Sequence, residues 1–214
     1  MNDMKNILCF GDSNTFGQHP QTGGRYDADE RWTGLLQRAL GPDYRVIEEG
    51  LNDRTTVFDD PVTLDRNGRK ALPILLDTHK PLDLIIIMLG TNDVKPRLSA
   101  TVNDIARGMQ ELCQLVKRHP FAPLYPVPEI LVVCPAPIRE GVERRALCSF
   151  DPTSVEKGRA LSAKYEQVAR DNGCAFFDAG TVAEASPLDY VHLTPESHQK
   201  LAGAFAKLIP GLLK

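Results

Sequence analysis

Residues Leu82 to Leu89 (LDLIIIML) form the most apolar run in the chain. Polar residues do not alternate with the apolar ones, so a strand here must be buried on both faces. Such a strand belongs in the middle of a parallel sheet, and parallel neighbours need long, usually helical, crossovers. The rest of the chain supplies both parts. Asn6 to Phe10, Tyr44 to Ile47, Ile130 to Cys134 and Cys174 to Phe177 read as further short strands. Between them Trp32, Leu35, Leu36, Ala39 and Leu40 keep the spacing of a one-faced helix, stopped at Gly41-Pro42. Asp65 to Thr78 is helical in its second half. Thr101 is placed to cap a helix whose buried face is Ile105, Met109, Leu112 and Val116. Val155, Leu161, Tyr165 and Val168 mark another, closed by Asn172-Gly173. Thr194 followed by Pro195 starts the last, with Leu201, Phe205 and Leu208 on its apolar side.

Alternation of this kind predicts an α/β fold: a three-layer αβα sandwich around a five-stranded parallel sheet. Right-handed crossovers make the flavodoxin-like order 2-1-3-4-5 the economical one. The 214 residues are expected to form a single domain, 1–214, without repeats or a linker. Asp12 to Glu30, Leu51 to Leu64, Arg139 to Pro152 and Asp178 to Leu193 read as loops.

Charge and composition exclude several functions. Formal net charge is -3, and no run of Lys or Arg offers a phosphate track, so nucleic acid is not expected as a partner. No apolar stretch approaches the ~18 residues of a membrane span. The first strand begins too early for a signal peptide. Cysteines 9, 113, 134, 148 and 174 are odd in number and lack paired spacing. They read as reduced thiols of a cytoplasmic protein.

Polar groups with chemical potential follow the C-terminal ends of strands one, two, three and five, on one edge of the sheet, where open α/β folds place ligands. Ser13 follows the first strand, in Gly11-Asp12-Ser13-Asn14-Thr15. Asn52-Asp53-Arg54-Thr55-Thr56 follows the second, Gly90-Thr91-Asn92-Asp93 the third, and Asp189 and His192 the fifth. A serine hydroxyl needs a base to become a nucleophile at neutral pH. Of the five histidines, His192 is the best candidate, with Asp189 three residues upstream to fix its tautomer. Taken alone, Asp-x-x-His is a common pattern and His192 could equally support the helix start. Asn92 offers a neutral donor suited to an oxyanion, or else an Asx turn. Asp12 and Asp93 read as loop braces. Phe16, Phe58, Tyr125 and Phe150 are candidates to line an acyl or alcohol pocket, with Trp32 assigned to the core. The chain has no G-x-S-x-G elbow, no H-E-x-x-H or C-x-x-C zinc pattern and no Walker loop.

Together these blocks resemble the SGNH/GDSL hydrolases, in the right order and over almost the whole chain. Arg31-Trp32-Thr33-Gly34, Val46 to Leu51 and Ile86 to Asp93 are similar to the arylesterase/acyltransferase branch of that family. The resemblance implies a cofactor-free serine esterase acting on short-chain esters. Ser13 would be the nucleophile, His192 the base and Asp189 its orienting acid. The oxyanion hole would combine the backbone N–H groups of Ser13 and Asp53 with the Asn92 side chain. Acyl transfer to alcohols or hydrogen peroxide, and homo-oligomers up to octamers, are also implied. Two departures stand out. Asp53 replaces a glycine common in the second block, and its carboxylate is expected to point away from the hole, toward an arginine. Asn14 replaces the usual leucine and Phe16 a tryptophan, so both are counted among the substrate-pocket residues. Residues 119 to 152 are expected to form the pocket wall and a subunit contact. Two alternatives stand beside the arylesterase reading: a carbohydrate O-acetylesterase, and a flavin- or phosphate-binding flavodoxin-like module.

Overall fold

In the computed structural model, which describes residues 4–145 and 149–213, five strands form one parallel sheet in the order β2-β1-β3-β4-β5. They are β1 (Lys5–Gly11), β2 (Tyr44–Gly50), β3 (Leu84–Met88), β4 (Glu129–Cys134) and β5 (Ala175–Asp178). Helices α1 (Ser13–Phe16), α2 (Trp32–Leu40), α3 (Gly68–His79), α4 (Val102–Arg118), α5 (Pro152–Asp171) and α6 (Pro195–Leu212) alternate with them. Cys148 lies outside the described residues. No described helix is long and apolar enough to cross a membrane.

Side chains two apart on a strand share a face, and the two faces are covered separately. Leu8, Phe10, Ile85, Ile87 and Val132 join the buried residues of α3, α4 and α5 in one cluster. Ile7, Cys9, Ile86, Met88 and Val133 join those of α2 and α6 in the other. This is the expected sandwich. β3 sits in the middle with all five residues buried, which is why its sequence shows no alternation.

The helix starts follow their local chemistry. Thr101 accepts the Asp104 N–H, and Asp104 accepts the Thr101 N–H in return, closing a capping box on α4. Thr194 accepts the Ser197 N–H at 3.1 Å ahead of Pro195. Among the elements that differ from the sequence reading are α1 and α5. α1 occupies what was read as loop, because Asp12 caps a turn too short to show periodicity. α5 begins at Pro152, since Asp151 and Ser154 form a second capping box inside the stretch read as irregular.

Register positions the site. Gly11 pairs with Gly50 on one side and Met88 on the other. Strands β1, β2 and β3 therefore end level, and their three loops emerge side by side. α1 then folds back so tightly that a Cβ on Gly50 would lie 2.1 Å from the Phe16 nitrogen. Glycine is required at that contact.

Candidate active site

The Ser13 hydroxyl lies 2.9 Å from His192 Nε2, although the two residues are 179 apart in sequence. His192 Nδ1 lies 2.6 Å from Asp189 Oδ2. The other Asp189 oxygen accepts the N–H groups of Val191 and His192, both at 3.0 Å. Burial pushes the Asp189 carboxyl up, but these hydrogen bonds and the His192 charge outweigh it and hold the group below its ordinary value. A carboxylate so fixed orients the imidazole and stabilises its protonated form.

The segment carrying His192 is stapled to α1 by Asn14. The Asn14 side chain accepts the Leu193 N–H at 3.0 Å and donates to the Val191 carbonyl at 3.4 Å. Its own carbonyl accepts the Trp32 indole N–H at 3.1 Å. Trp32 is fully buried, edge-on to Phe205, as its assignment to the core requires. His198, on α6, accepts the Trp32 backbone N–H. Burial, with the His192 charge adding to it, pushes its imidazole down to about 3, so it is a neutral core residue.

The loops after β2 and β3 are cross-linked. Asn92 donates one amide hydrogen to the Arg54 carbonyl at 3.1 Å, which sets the amide plane and leaves the second hydrogen free for another acceptor. Asp93 accepts the Thr56 N–H at 2.9 Å and the Thr56 hydroxyl at 2.5 Å. Asp12 caps α1 by accepting the Asn14 N–H. Asp12 and Asp93 are thus loop braces, as expected. The turn at residues 51–54 closes through the Arg54 N–H and the Leu51 carbonyl. Among the described residues, no protein acceptor takes the N–H of Ser13 or of Asp53.

Burial pushes Asp93 up to about 6, with Asp12 adding to the rise and the Thr56 hydrogen bonds opposing it. A folded-state value above the unfolded one, about 3.9, means the folded chain holds this proton more tightly. The resulting stabilisation is full below about pH 4 and is lost as pH rises through 6. Asp93→Asn removes the titration. The unfolding free energy of the variant relative to wild type should therefore climb, by on the order of 2 kcal/mol, from pH 4 to pH 6. Denaturant melts of both proteins across that range measure it, and a pH-independent difference would remove the assignment.

A cleft of about 450 Å³ opens over Ser13, Asn92 and His192. Of the sequence-predicted pocket residues, Phe150 lines it. Asn14, Phe16, Phe58 and Tyr125 do not, and each has another task. Asn14 is the staple. Phe16 carries the Arg25 guanidinium 4.6 Å above its ring. Phe58 and Tyr125 pack against the α3–α4–α5 core. Within residues 119 to 152, only Arg145, Ser149 and Phe150 reach the cleft among the described residues. The opposite wall is the segment Gln18 to Gly23, closed on itself by the Gln18–Arg25 bridge. Arg25 and Arg31 both pair with Glu48 of β2, which pins that segment to the sheet. Its composition says loop and nothing more, so the sequence held no signal that it would form a wall. Lys95 was missed as well. It is buried, lines the cleft and pairs with Asp53 at 2.5 Å. The arginine expected opposite Asp53 is therefore a lysine. Residue 53 lines the cleft too, and its carboxylate is held by the Lys95 ammonium. Arg54 instead donates to the Gly11 carbonyl and stacks on Phe10.

A serine, histidine and aspartate in relay at the C-terminal edge of a flavodoxin-like sheet define a class, the SGNH-type ester hydrolases. The chain belongs to the GDSL-like lipase/acylhydrolase family, whose model matches residues 9–200. A carbohydrate acetylesterase family member from Sinorhizobium meliloti is 40% identical, with a TM-score of 0.92 over 98% of this chain and 99% of that one. The native aryl esterase of M. smegmatis is also 40% identical, with a TM-score of 0.89 over 98% and 100%. A second Sinorhizobium meliloti carbohydrate acetylesterase is 38% identical, with a TM-score of 0.91 over 97% and 99%. A sequence search of curated proteins gives no match. Among the described residues no cluster of His, Cys, Asp and Glu could hold a metal ion.

Proposed function

We propose that this chain is a serine esterase that cleaves short-chain esters through an acyl-enzyme. The observation that carries the reading is the continuous Ser13–His192–Asp189 relay, 2.9 and 2.6 Å long, opening beside the Asn92 amide. Ser13 Oγ attacks the ester carbonyl while His192 Nε2 takes its proton. Charge developing on the carbonyl oxygen is met by the N–H groups of Ser13 and Asp53 and by the free hydrogen of Asn92. His192 then gives its proton to the departing alkoxide, and the acyl group stays on Ser13. Water, activated by the same histidine, releases the acid. An alcohol or hydrogen peroxide in place of water would give acyl transfer by the same steps.

The cleft walls favour a second, overlapping reading for the alcohol side of the substrate. Gln18, Gln21, Thr22 and Ser149 present hydrogen-bonding groups, and Phe150 is the aromatic residue among its lining residues. A polyhydroxylated leaving group, as in an acetylated sugar, matches that wall better than a long acyl chain does. A phosphate- or flavin-binding role is not retained, since the Ser13 hydroxyl is engaged by His192 rather than presented to an anion. The test is fluorophosphonate labelling with peptide mass mapping, alongside assays on phenyl acetate and acetylated xylan. Label on Ser13 is expected. Active protein without label on Ser13 would remove the serine mechanism, and turnover of xylan over phenyl acetate would select the carbohydrate reading.

A further inference from the structure

Asp53 is held in the left-handed region, with φ +64, where side chains other than glycine are strained. Residue 53 also lines the cleft that contains Ser13 and Asn92, and its side chain is a carboxylate paired with another lining residue, Lys95. Both features disfavour an anionic transition state unless something fixes the residue and offsets its charge. Three links join the turn after β3 to the loop after β2. Asn92 donates to the Arg54 carbonyl, Asp93 accepts the Thr56 N–H, and Lys95 pairs with Asp53. The first two secure residues that follow position 53. The third alone acts on residue 53 itself.

Lys95 is built to hold that position. Its N–H donates to the Asn92 carbonyl, so its backbone is part of the Asn92 turn. The neighbouring Val94 carbonyl accepts the Ser154 hydroxyl, tying the turn to α5. The Lys95 side chain is only 3% exposed, against 41% for Asp53, and its ammonium faces the Phe150 ring at 5.5 Å. Burying an ammonium opposite a half-exposed carboxylate is a poor source of stability.

We infer that Lys95 is a positioning residue of the oxyanion hole: its ion pair with Asp53 directs the residue 53 N–H into the hole and draws that carboxylate's charge away from the forming oxyanion. The inference rests on the esterase reading above. It makes residues 53 and 95 one unit, whose loss falls on kcat because the oxyanion exists only in the transition state.

The experiment is a double-mutant cycle with 4-nitrophenyl acetate, at a temperature where every variant is folded by circular dichroism. Lys95→Met in the wild-type background should lower kcat by about tenfold or more, with KM changed by less than about threefold. In an Asp53→Gly background there is no carboxylate to manage and no strain at φ +64. There the same Lys95→Met change should lower kcat by less than about threefold, whatever Asp53→Gly itself does. Equal factors in the two backgrounds, or a change confined to KM, would overturn the inference. If Lys95→Met does not fold, Lys95→Gln keeps an unbranched stem with a polar end, one atom shorter, and removes the charge, and the same comparison of backgrounds applies. Ser13→Ala is run in parallel. An active Ser13→Ala protein would sink the esterase reading itself, whereas an inactive one beside an uncoupled Lys95 would sink this inference alone.

Discussion

Ser13→Ala should lower turnover of 4-nitrophenyl acetate by about 10⁴-fold or more, while the protein melts close to wild type. Removing the hydroxyl removes the atom that His192 is placed to activate. The fold loses little, because the Ser13 Oγ is bonded to His192 and not to the sheet. One hydrogen bond of this kind is worth about 1 kcal/mol net. The residue 13 N–H and the Asn92 amide survive the change, so a residual rate from charge stabilisation alone is expected. Steady-state rates and a thermal melt on the same preparation check both halves. Near-wild-type turnover would rule out Ser13 as the nucleophile.

Asp189→Asn should cost about 10⁴-fold in kcat, and the geometry states why. Oδ1 of Asp189 accepts two backbone N–H groups, from Val191 and His192. An asparagine here must keep its oxygen on those donors, which turns its NH₂ group toward His192 Nδ1. That nitrogen then has to accept, the proton moves to Nε2, and Nε2 can no longer take the proton of Ser13. The loss is therefore one of tautomer rather than of charge alone. Asp189→Ala leaves Nδ1 to water and the tautomer unforced, so it should be less damaging to the chemistry than asparagine, although it frees the 189–192 turn. Rates for both variants at pH 8 distinguish these effects. An asparagine variant within tenfold of wild type would mean that Asp189 does not set the tautomer.

The Lys95 cycle and the Asp93 titration probe a different layer, the loops behind the reacting atoms. Asp93 stands next to Asn92, and its bond to Thr56 carries one of the links between the two oxyanion loops. A protonation change at Asp93 therefore reports on a link one residue along from the one that joins Asn92 to Arg54.

The elements that could be read from the sequence are those whose cause is local. β3 was legible because burial on both faces leaves an uninterrupted apolar run. α4 and α6 were legible because Thr101 and Thr194 are caps whose partners lie three residues away. α1 was not, since four residues cannot display a helical period. β2 was read short at Ile47 because Glu48 and Glu49 look like a strand end. They continue an edge strand instead, Glu48 meeting Arg25 and Arg31, and Glu49 meeting His79 at 2.8 Å. Those partners are far along the chain and leave no mark near Glu48.

The same division runs through the site. Sequence alone determined which chemical groups stand at the ends of which strands: Ser13, the Asp53 loop, Asn92, and the Asp189–His192 pair. It could do so because a parallel α/β sheet sends all those ends to one edge. Tertiary structure alone decided what surrounds them. It put Gln18 to Gly23 over the cleft, made Asn14 a staple, sent Phe58 and Tyr125 to the core, and matched Asp53 with Lys95. Those outcomes depend on which distant loops come into contact, and strand register, set by pairs such as Gly11 with Gly50, is what brings them together.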